Sequence, residues 1–154
     1  MRATRHVVIL LATVSILAQG VPAAALDTIG TVRSSAGTAA VTRGGQVLPA
    51  SAGMKLLAGD TLTTGSDGSM GVILRDNSTL SLGPESRIVI ETFFFSPNEG
   101  KLRLLAHITR GTMAYLSGLI GKLAPGSARF ETPVASIGIR GTRFAVKVGG
   151  PGPE

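Results

Sequence analysis

Apolar and polar residues alternate along several short segments of this chain. Apolar residues occupy positions 70, 72 and 74, then 80 and 82, then 88 and 90, and the turn-like sequences RDNS and GPES separate the three groups. A period of two is typical of β-strands, and strand centres about nine residues apart are typical of all-β domains. We therefore predict an all-β fold, a single domain of short strands and tight turns that is either solenoid-like or sandwich-like.

Other segments extend this prediction. Val41 and Val47 flank the pair Gly44–Gly45, which accepts the positive φ angles of a tight hairpin turn. In residues 101–108, apolar side chains alternate with charged ones, which predicts a strand with one buried face. The glycines and the proline of residues 117–126 allow one short helical turn at most, around residues 119–123.

The apolar positions change parity in the segment TPVASIGIRGTRFAVKV, from Thr132 to Val148. Ile137 and Ile139 fall on odd positions, whereas Phe144 and Val146 fall on even ones. Because side chains of a strand alternate between faces, the chain must turn or insert an extra residue between the two groups. We predict a structural bend at Arg140-Gly141-Thr142.

The same segment invites comparison with a phosphate-binding loop. Gly138 and Gly141 supply only G-x-x-G, no Lys follows in the position that a Walker loop requires, and the next residues resemble a strand rather than a helix. The sequence therefore predicts no cofactor-binding site for a phosphate group here.

The N-terminal residues have the order of a secretory signal peptide. Arg2 and Arg5 precede an apolar run, and Pro22 and the triplet Ala23-Ala24-Ala25 follow it. Gln19, Gly20 and Pro22 interrupt the run, which disfavours the alternative of an uncleaved membrane anchor. We predict a signal peptide at residues 1–25, a β domain at residues 26–148, a Gly/Pro-rich tail at residues 149–154, and no membrane span after cleavage.

The chain beyond the predicted cleavage site is moderately basic. Subtracting Arg2 and Arg5 from the 15 Lys and Arg residues leaves 13 against 9 Asp and Glu, a net charge of +4. The basic residues look scattered and interleaved with acidic ones, and aromatic residues make up only 4% of the chain, so a nucleic-acid partner is not expected. The absence of Cys means that no disulfide contributes to the fold.

Residues with catalytic or metal-binding chemistry are sparse. His107 is the one His beyond residue 25, so neither a common zinc site nor a supported Ser-His-Asp triad can be assembled, and we expect it to be an exposed strand residue. Asp60, Asp67 and Asp76 lie in predicted turns without the spacing of a calcium loop. The sequence therefore predicts no catalytic residue, no bound cofactor and no metal.

Three motifs together resemble the FecR-type periplasmic domain. They are G-D-x-L-x-T in GDTLTTG at 59–65, D-x-S-x-L-x-L in DNSTLSL at 76–82, and T-P-V-A-x-I-G-I-R-G-T at 132–142. The well-known members of that family are membrane-spanning regulators whose periplasmic part receives a signal while a cytoplasmic segment controls a sigma factor. Here the predicted signal peptide lies where those members would have the cytoplasmic segment and the internal transmembrane helix. The resemblance thus implies a β-rich interaction domain in the envelope, with no catalytic residues to assign.

Three functional hypotheses follow. The first is a non-enzymatic periplasmic protein that binds another envelope protein and is an accessory to signalling. The second is a binder of cell-envelope polysaccharide or another polyanion, which the net positive charge would favour. The third, an envelope hydrolase, has the least support because no paired catalytic groups are found.

Overall fold

The computed structural model describes residues 26–149, and the predicted signal peptide and residues 150–154 of the predicted tail lie outside this range. The described residues form twelve β-strands, one 3₁₀ helix (Pro97–Glu99) and one α-helix, α1 (Leu119–Leu123). None of the helices in residues 26–149 has the length and apolar character needed to cross a bilayer. The strands are β1 (Thr28–Ala36), β2 (Ala39–Arg43), β3 (Gln46–Pro49), β4 (Lys55–Leu57), β5 (Thr61–Thr64), β6 (Ser69–Leu74), β7 (Thr79–Leu82), β8 (Arg87–Ser96), β9 (Lys101–Leu116), β10 (Ala128–Glu131), β11 (Ser136–Gly138) and β12 (Arg143–Val148).

All twelve strands belong to one curled sheet with β9 at its centre. The order along the main path is β3-β2-β5-β8-β9-β7-β6-β1-β4. One edge of β9 pairs first with β8, through residues 101–110, and then with β7, through residues 113–116. Its other edge pairs with β10, in parallel, through residues 104–107, and with β12 through residues 111–116. Strand β9 therefore joins two halves of the sheet.

Gly111 lies where β9 passes from one half to the other. Its φ angle is +91°, and a Cβ atom built on it would lie 2.3 Å from the Cα of Ser86, in the turn between β7 and β8. Only a residue without a side chain accepts both the backbone conformation and this close approach. The bend in the sheet thus depends on a glycine within β9, and the buried positions of the strand change parity across it, from 106 and 108 to 113 and 115.

The two halves of the sheet enclose a single apolar core. The ring of Phe130, in β10, lies 4.9 Å from that of Tyr115 and 5.8 Å from that of Phe144, measured between centroids. Inward residues of each strand alternate with outward ones, as in the burial of Met70, Val72 and Leu74 along β6. The all-β prediction is confirmed. Pairing between the strands of residues 26–149 is antiparallel except for β9 with β10. The sheet curls like a half-barrel around its core.

Several local predictions are also confirmed. Gly44 and Gly45, with φ angles of +54° and +81°, form the turn between β2 and β3. The predicted helical turn is α1. Ile139 is buried and Ile137, Phe144 and Val146 pack against the core from partly buried positions, on either side of the bend at residues 140–142. The parity change therefore marks a passage between two strands that both contribute to the core.

Candidate interaction surface

The first of the three motifs contains an ion pair between the buried Asp60 and the partly exposed Arg43. The carboxylate of Asp60 is 1% exposed and accepts hydrogen bonds from Nε of Arg43, at 2.8 Å, from a terminal nitrogen of Arg43, at 2.6 Å, and from the backbone N–H of Leu57, at 2.8 Å. The other Arg43 contact is to the carbonyl of Lys55, at 2.8 Å. The ion pair raises the pKa of Arg43. This cluster fastens β2 to the turn between β4 and β5.

The remaining positions of this motif also serve the fold. Leu62 is fully buried in the core. The hydroxyl of Thr64 donates to the carbonyl of Gly83, at 2.7 Å, and accepts from the backbone N–H of Ser86, at 2.9 Å. The motif therefore connects β5 to the turn that packs against Gly111, and the side chains of Asp60 and Thr64 are both buried.

The second motif holds the α1 segment in place. The buried carboxylate of Asp76 accepts from the backbone N–H of Ser78 at 3.0 Å, from the hydroxyl of Ser78 at 2.6 Å and from the backbone N–H of Ile120 at 3.2 Å. The Ser78 hydroxyl in turn accepts from the backbone N–H of Gly118 and lies 3.0 Å from the Tyr115 hydroxyl. Burial raises the pKa of the Tyr115 phenol, and its hydrogen bond with Ser78 opposes that effect. Asp76 is thus a structural residue.

The three aspartates have separate roles. Asp60 and Asp76 are buried and bonded as described, whereas Asp67 is exposed and accepts from the backbone N–H of Thr38, at 3.2 Å. Hydrogen bonds from Thr38 lower the pKa of the Asp67 carboxyl. Sequence reasoning placed all three in turns but missed the distant partners of Asp60 and Asp76, because a pairing between residues far apart in the chain leaves no local periodic signal.

His107 is less exposed than predicted. It lies on the outward face of β9 between a glutamate of β8 and a glutamate of β10: Nε2 contacts Glu91, and Nδ1 lies 3.3 Å from a carboxylate oxygen of Glu131. Its side chain is 32% exposed because these neighbours partly cover it. Within residues 26–149, no group of three or more His, Cys, Asp or Glu side chains has a geometry that could hold a metal ion. The side chains of Glu91, His107 and Glu131 thus form a polar contact across β8, β9 and β10.

The third motif lies largely on the surface. The hydroxyl of Thr132 accepts from the backbone N–H of Ala135 at 3.0 Å and so closes the turn between β10 and β11. At the tip of that turn, Val134 is 93% exposed. Ile139 is buried, whereas Arg140 and Gly141 are exposed. The predicted bend at residues 140–142 is therefore present, and a strand, β12, follows it.

This motif borders a groove at an open edge of the sheet. The groove has a volume of about 330 Å³, and the turn at residues 132–135 forms one side of it. Ile137, Val146 and Val148 contribute apolar surface to it. Within residues 26–149, β12 pairs only with β9, and β11 pairs only with β10, so each presents one unpaired edge. An apolar groove thus lies beside two strand edges that can still accept a partner.

The basic residues are concentrated in the same part of the chain. Residues 101–149 contain eight Lys and Arg against the single acidic residue Glu131, whereas residues 26–100 contain five against seven. The sequence interpretation that positive and negative charges are interleaved is therefore wrong for the second half of the chain. On β12 itself, Arg143 and Lys147 are both exposed. The open edge of β12 therefore carries two exposed basic side chains, and one of them, Lys147, also lines the groove.

Comparison with known protein families gives one match. The family described as FecR protein matches residues 60–153, which include β5 to β12 and the second and third motifs in full. Comparison with the curated proteins and with the solved structures gave no match. Because this match covers more than half of the chain, the chain belongs to the FecR protein family.

Proposed function

We propose that this chain is a non-enzymatic interaction domain of the periplasm that binds another envelope protein as an accessory to envelope signalling. FecR domains are associated with regulators of envelope signalling. The observation that carries the proposal is the division of roles among the motifs. The buried polar side chains of the first two, Asp60, Thr64, Asp76 and Ser78, are engaged in internal hydrogen bonds, while the third borders an apolar groove at a strand edge that is unpaired within residues 26–149. Such a surface suits binding better than catalysis.

Location in the periplasm rests on the predicted signal peptide at residues 1–25 and on the family. FecR domains are associated with the periplasmic side of the envelope. A folded domain of this size holds together without disulfides because β9 connects both halves of the sheet around one core, so the oxidising conditions of the periplasm are compatible with it but not required for folding.

A second function, binding of an envelope polysaccharide or another polyanion, is favoured by one specific observation. Arg87 and Arg110 are directly opposite each other across β8 and β9, although like charges in this arrangement destabilise a sheet. A polyanion on this face would neutralise the pair. This second function remains compatible with the fold, and salt dependence separates it from the first.

Capture of ligands from an envelope extract, at about 50 mM and about 500 mM salt, tests both functions. A protein bound through backbone hydrogen bonds and apolar contacts is expected to stay bound at high salt. Capture of polysaccharide alone, with loss at high salt, would replace the proposed function with the second one. An Arg87→Ser, Arg110→Ser double variant is the matched control, because it should abolish polyanion capture and leave protein capture unchanged.

A further inference from the structure

The unpaired edge of β12 presents a regular row of backbone groups. The pairing of β12 with β9 runs from Arg143 to Val148 without a register shift. The N–H of Ser117 donates to the carbonyl of Thr142 just before this strand. Because bonded and non-bonded pairs alternate along an antiparallel ladder, residues 144, 146 and 148 bond to β9, and the N–H and C=O groups of Arg143, Ala145 and Lys147 point away from it. These six groups are positioned to pair with another strand.

The side chains along this edge impose a pattern on any strand that pairs with it. Arg143, Ala145 and Lys147 are exposed on the outer face, and the residues between them face the core. A strand added here has side chains opposite Arg143 and Lys147 on the outer face, where acidic residues would be favoured. Its alternate side chains face the apolar groove beside Val146 and Val148. The edge therefore suits a segment in which apolar residues alternate with polar ones that include two acidic residues.

Charged residues on an edge strand also have a general role, since Lys and Arg discourage edge-to-edge aggregation. Here the charges of Arg143 and Lys147 also determine which strands can pair with β12 favourably. A second copy of this chain pairing antiparallel through β12, centred on Ala145, would set Arg143 opposite Lys147 twice, and both pairs would repel. With no acidic residue between positions 132 and 149, nothing on this edge offsets that repulsion. The charges on this edge thus disfavour pairing with a second copy in this register and favour pairing with an acidic strand.

We infer that the edge of β12 is the docking site of the partner, and that the partner contributes an extended segment of alternating apolar and acidic residues that adds as a strand to the sheet. This inference rests on the proposed function, because it specifies the surface and the chemistry of the protein partner. The bonds of such a complex come from the backbone of Arg143, Ala145 and Lys147, and its specificity comes from the groove and the two basic side chains.

Synthetic peptides measured by fluorescence anisotropy test the inference with the protein purified from cells. The probe SEVTVEVS carries the alternation and the two acidic residues, SKVTVKVS reverses the charges, and SEEVVVTS has the composition of the probe without its alternation. We expect SEVTVEVS to bind with a Kd below about 1 mM and about tenfold more tightly than either of the other two. Absence of binding in this range, or equal binding of the three peptides, would overturn the inference.

Two matched proline variants locate the binding edge. Ala145→Pro removes an N–H that points away from β9, so it should leave the fold intact and weaken SEVTVEVS binding by about tenfold or more. Val47→Pro is the control on the open edge of β3: residue 47 alternates with Gln46, which closes the two-residue hairpin, so its N–H also points away from the sheet. It should bind the probe like the wild type. Equal binding by Ala145→Pro and the wild type would contradict the assignment.

A second measurement covers the case in which Ala145→Pro fails to fold. Methylation of the probe at the amides of Glu, Thr and Glu blocks the edge that would face β12, and methylation at the three Val residues blocks the opposite edge. With the wild-type protein, we expect only the first peptide to lose binding if the strand docks antiparallel to β12, or only the second if it docks parallel to β12. Equal loss in both would rule out strand addition.

The outcome also separates this inference from the proposed function. If wild-type protein captures an envelope protein and Ala145→Pro captures it equally well, the partner binds elsewhere and only the docking site is wrong. If the wild type captures no protein, the proposed function itself fails. Equally strong binding of dextran sulfate and SEVTVEVS, both unaffected by Ala145→Pro, would instead identify a polyanion surface.

Discussion

The Arg43 guanidinium makes two hydrogen bonds to the Asp60 carboxylate, at 2.8 and 2.6 Å, and so joins β2 to the turn before β5. Asp60 is almost fully buried, whereas Arg43 retains contact with solvent. Asp60 is therefore the residue that holds the pair in place, because it is buried and also accepts a hydrogen bond from the Leu57 N–H. The loss in the free energy of unfolding when Asp60 is removed should show how much the first FecR motif contributes to stability.

Asp60→Ala should lower the free energy of unfolding by about 2 kcal/mol, because it removes three hydrogen bonds and leaves the Leu57 N–H without its acceptor, while Arg43 can still be solvated. Urea unfolding followed by circular dichroism measures the loss. The control is Asp27→Ala, since the Asp27–Arg75 pair is exposed and such pairs contribute about 1 kcal/mol or less. Equal effects of the two variants would show that the Asp60 cluster does not stabilise the fold.

Gly111→Ala should be among the most disruptive single substitutions. The new Cβ would approach Ser86 to 2.3 Å while the residue has a φ of +91°, so both sterics and backbone conformation oppose it. We expect a loss of about 3 kcal/mol or more in a thermal melt. Gly44→Ala is the control: it also has positive φ but its Cβ meets no atom within 4 Å, so only about 1 kcal/mol should be lost.

The sequence predicted those features that depend on residues close to one another along the chain. The alternation in β6 and β7 and the Gly44–Gly45 turn follow from local periodicity and backbone freedom. The exchange of partners along β9 was not predictable: the buried positions change parity across Gly111, from 106 and 108 to 113 and 115, but a change of parity does not show which strands lie on either side. The free edge of β12 was equally hidden, since whether a strand has one neighbour or two depends on the topology of the whole sheet rather than on its own residues.

Tyr115 should titrate above the ordinary phenol range because burial raises its pKa. The unfolded chain loses this proton near pH 10 while the folded chain retains it, so the contribution of Tyr115 to stability is complete below that pH and is lost as the pH rises further. The chain has one Tyr and no Trp, so absorbance at about 295 nm reports this group alone. Titration at the ordinary value in the folded protein would contradict the burial of Tyr115.

The difference between the wild type and Tyr115→Phe isolates this contribution. Phe keeps the aromatic packing on Phe130 and removes the titrating hydroxyl. The stability of Tyr115→Phe should therefore fall less steeply than that of the wild type as the pH rises above about 10. Parallel curves for the two proteins would assign the alkaline loss of stability to other groups.

Export predicts a defined change of mass. If residues 1–25 are a signal peptide, protein from the periplasmic fraction should begin at Leu26, and intact-mass measurement should show the loss of Met1 to Ala25. Ala25→Leu should slow processing because the cleavage site requires a small residue, while Thr28→Ser, beyond the site, should have no effect. Recovery of unprocessed chain from the inner membrane would support the anchor alternative.

The bend that joins β11 to β12 has a buried residue directly beside an exposed one. Ile139 is 5% exposed and its N–H donates to the carbonyl of Ala128, whereas Arg140, next to it, is exposed. Ile139→Ala should therefore cost about 2 to 5 kcal/mol, and Arg140→Ala about 0.5 kcal/mol or less. Gly141→Val should cost about 1 kcal/mol through the backbone alone, because the φ of +156° is unfavourable for a β-branched residue although a Cβ there meets no atom within 4 Å.

At this chain length each kcal/mol shifts the melting temperature by roughly 3 to 5 °C, so a thermal melt resolves the order Ile139→Ala, Gly141→Val, Arg140→Ala. This order follows if the segment is a structural bend, because the cost then tracks burial and backbone conformation rather than charge. A phosphate site would give a different result: Arg140→Ala would abolish binding of a phosphate-bearing ligand while the melting temperature of Ile139→Ala stayed at the wild-type value. That pair of results would make the third FecR motif a ligand site instead of a support for the β12 edge.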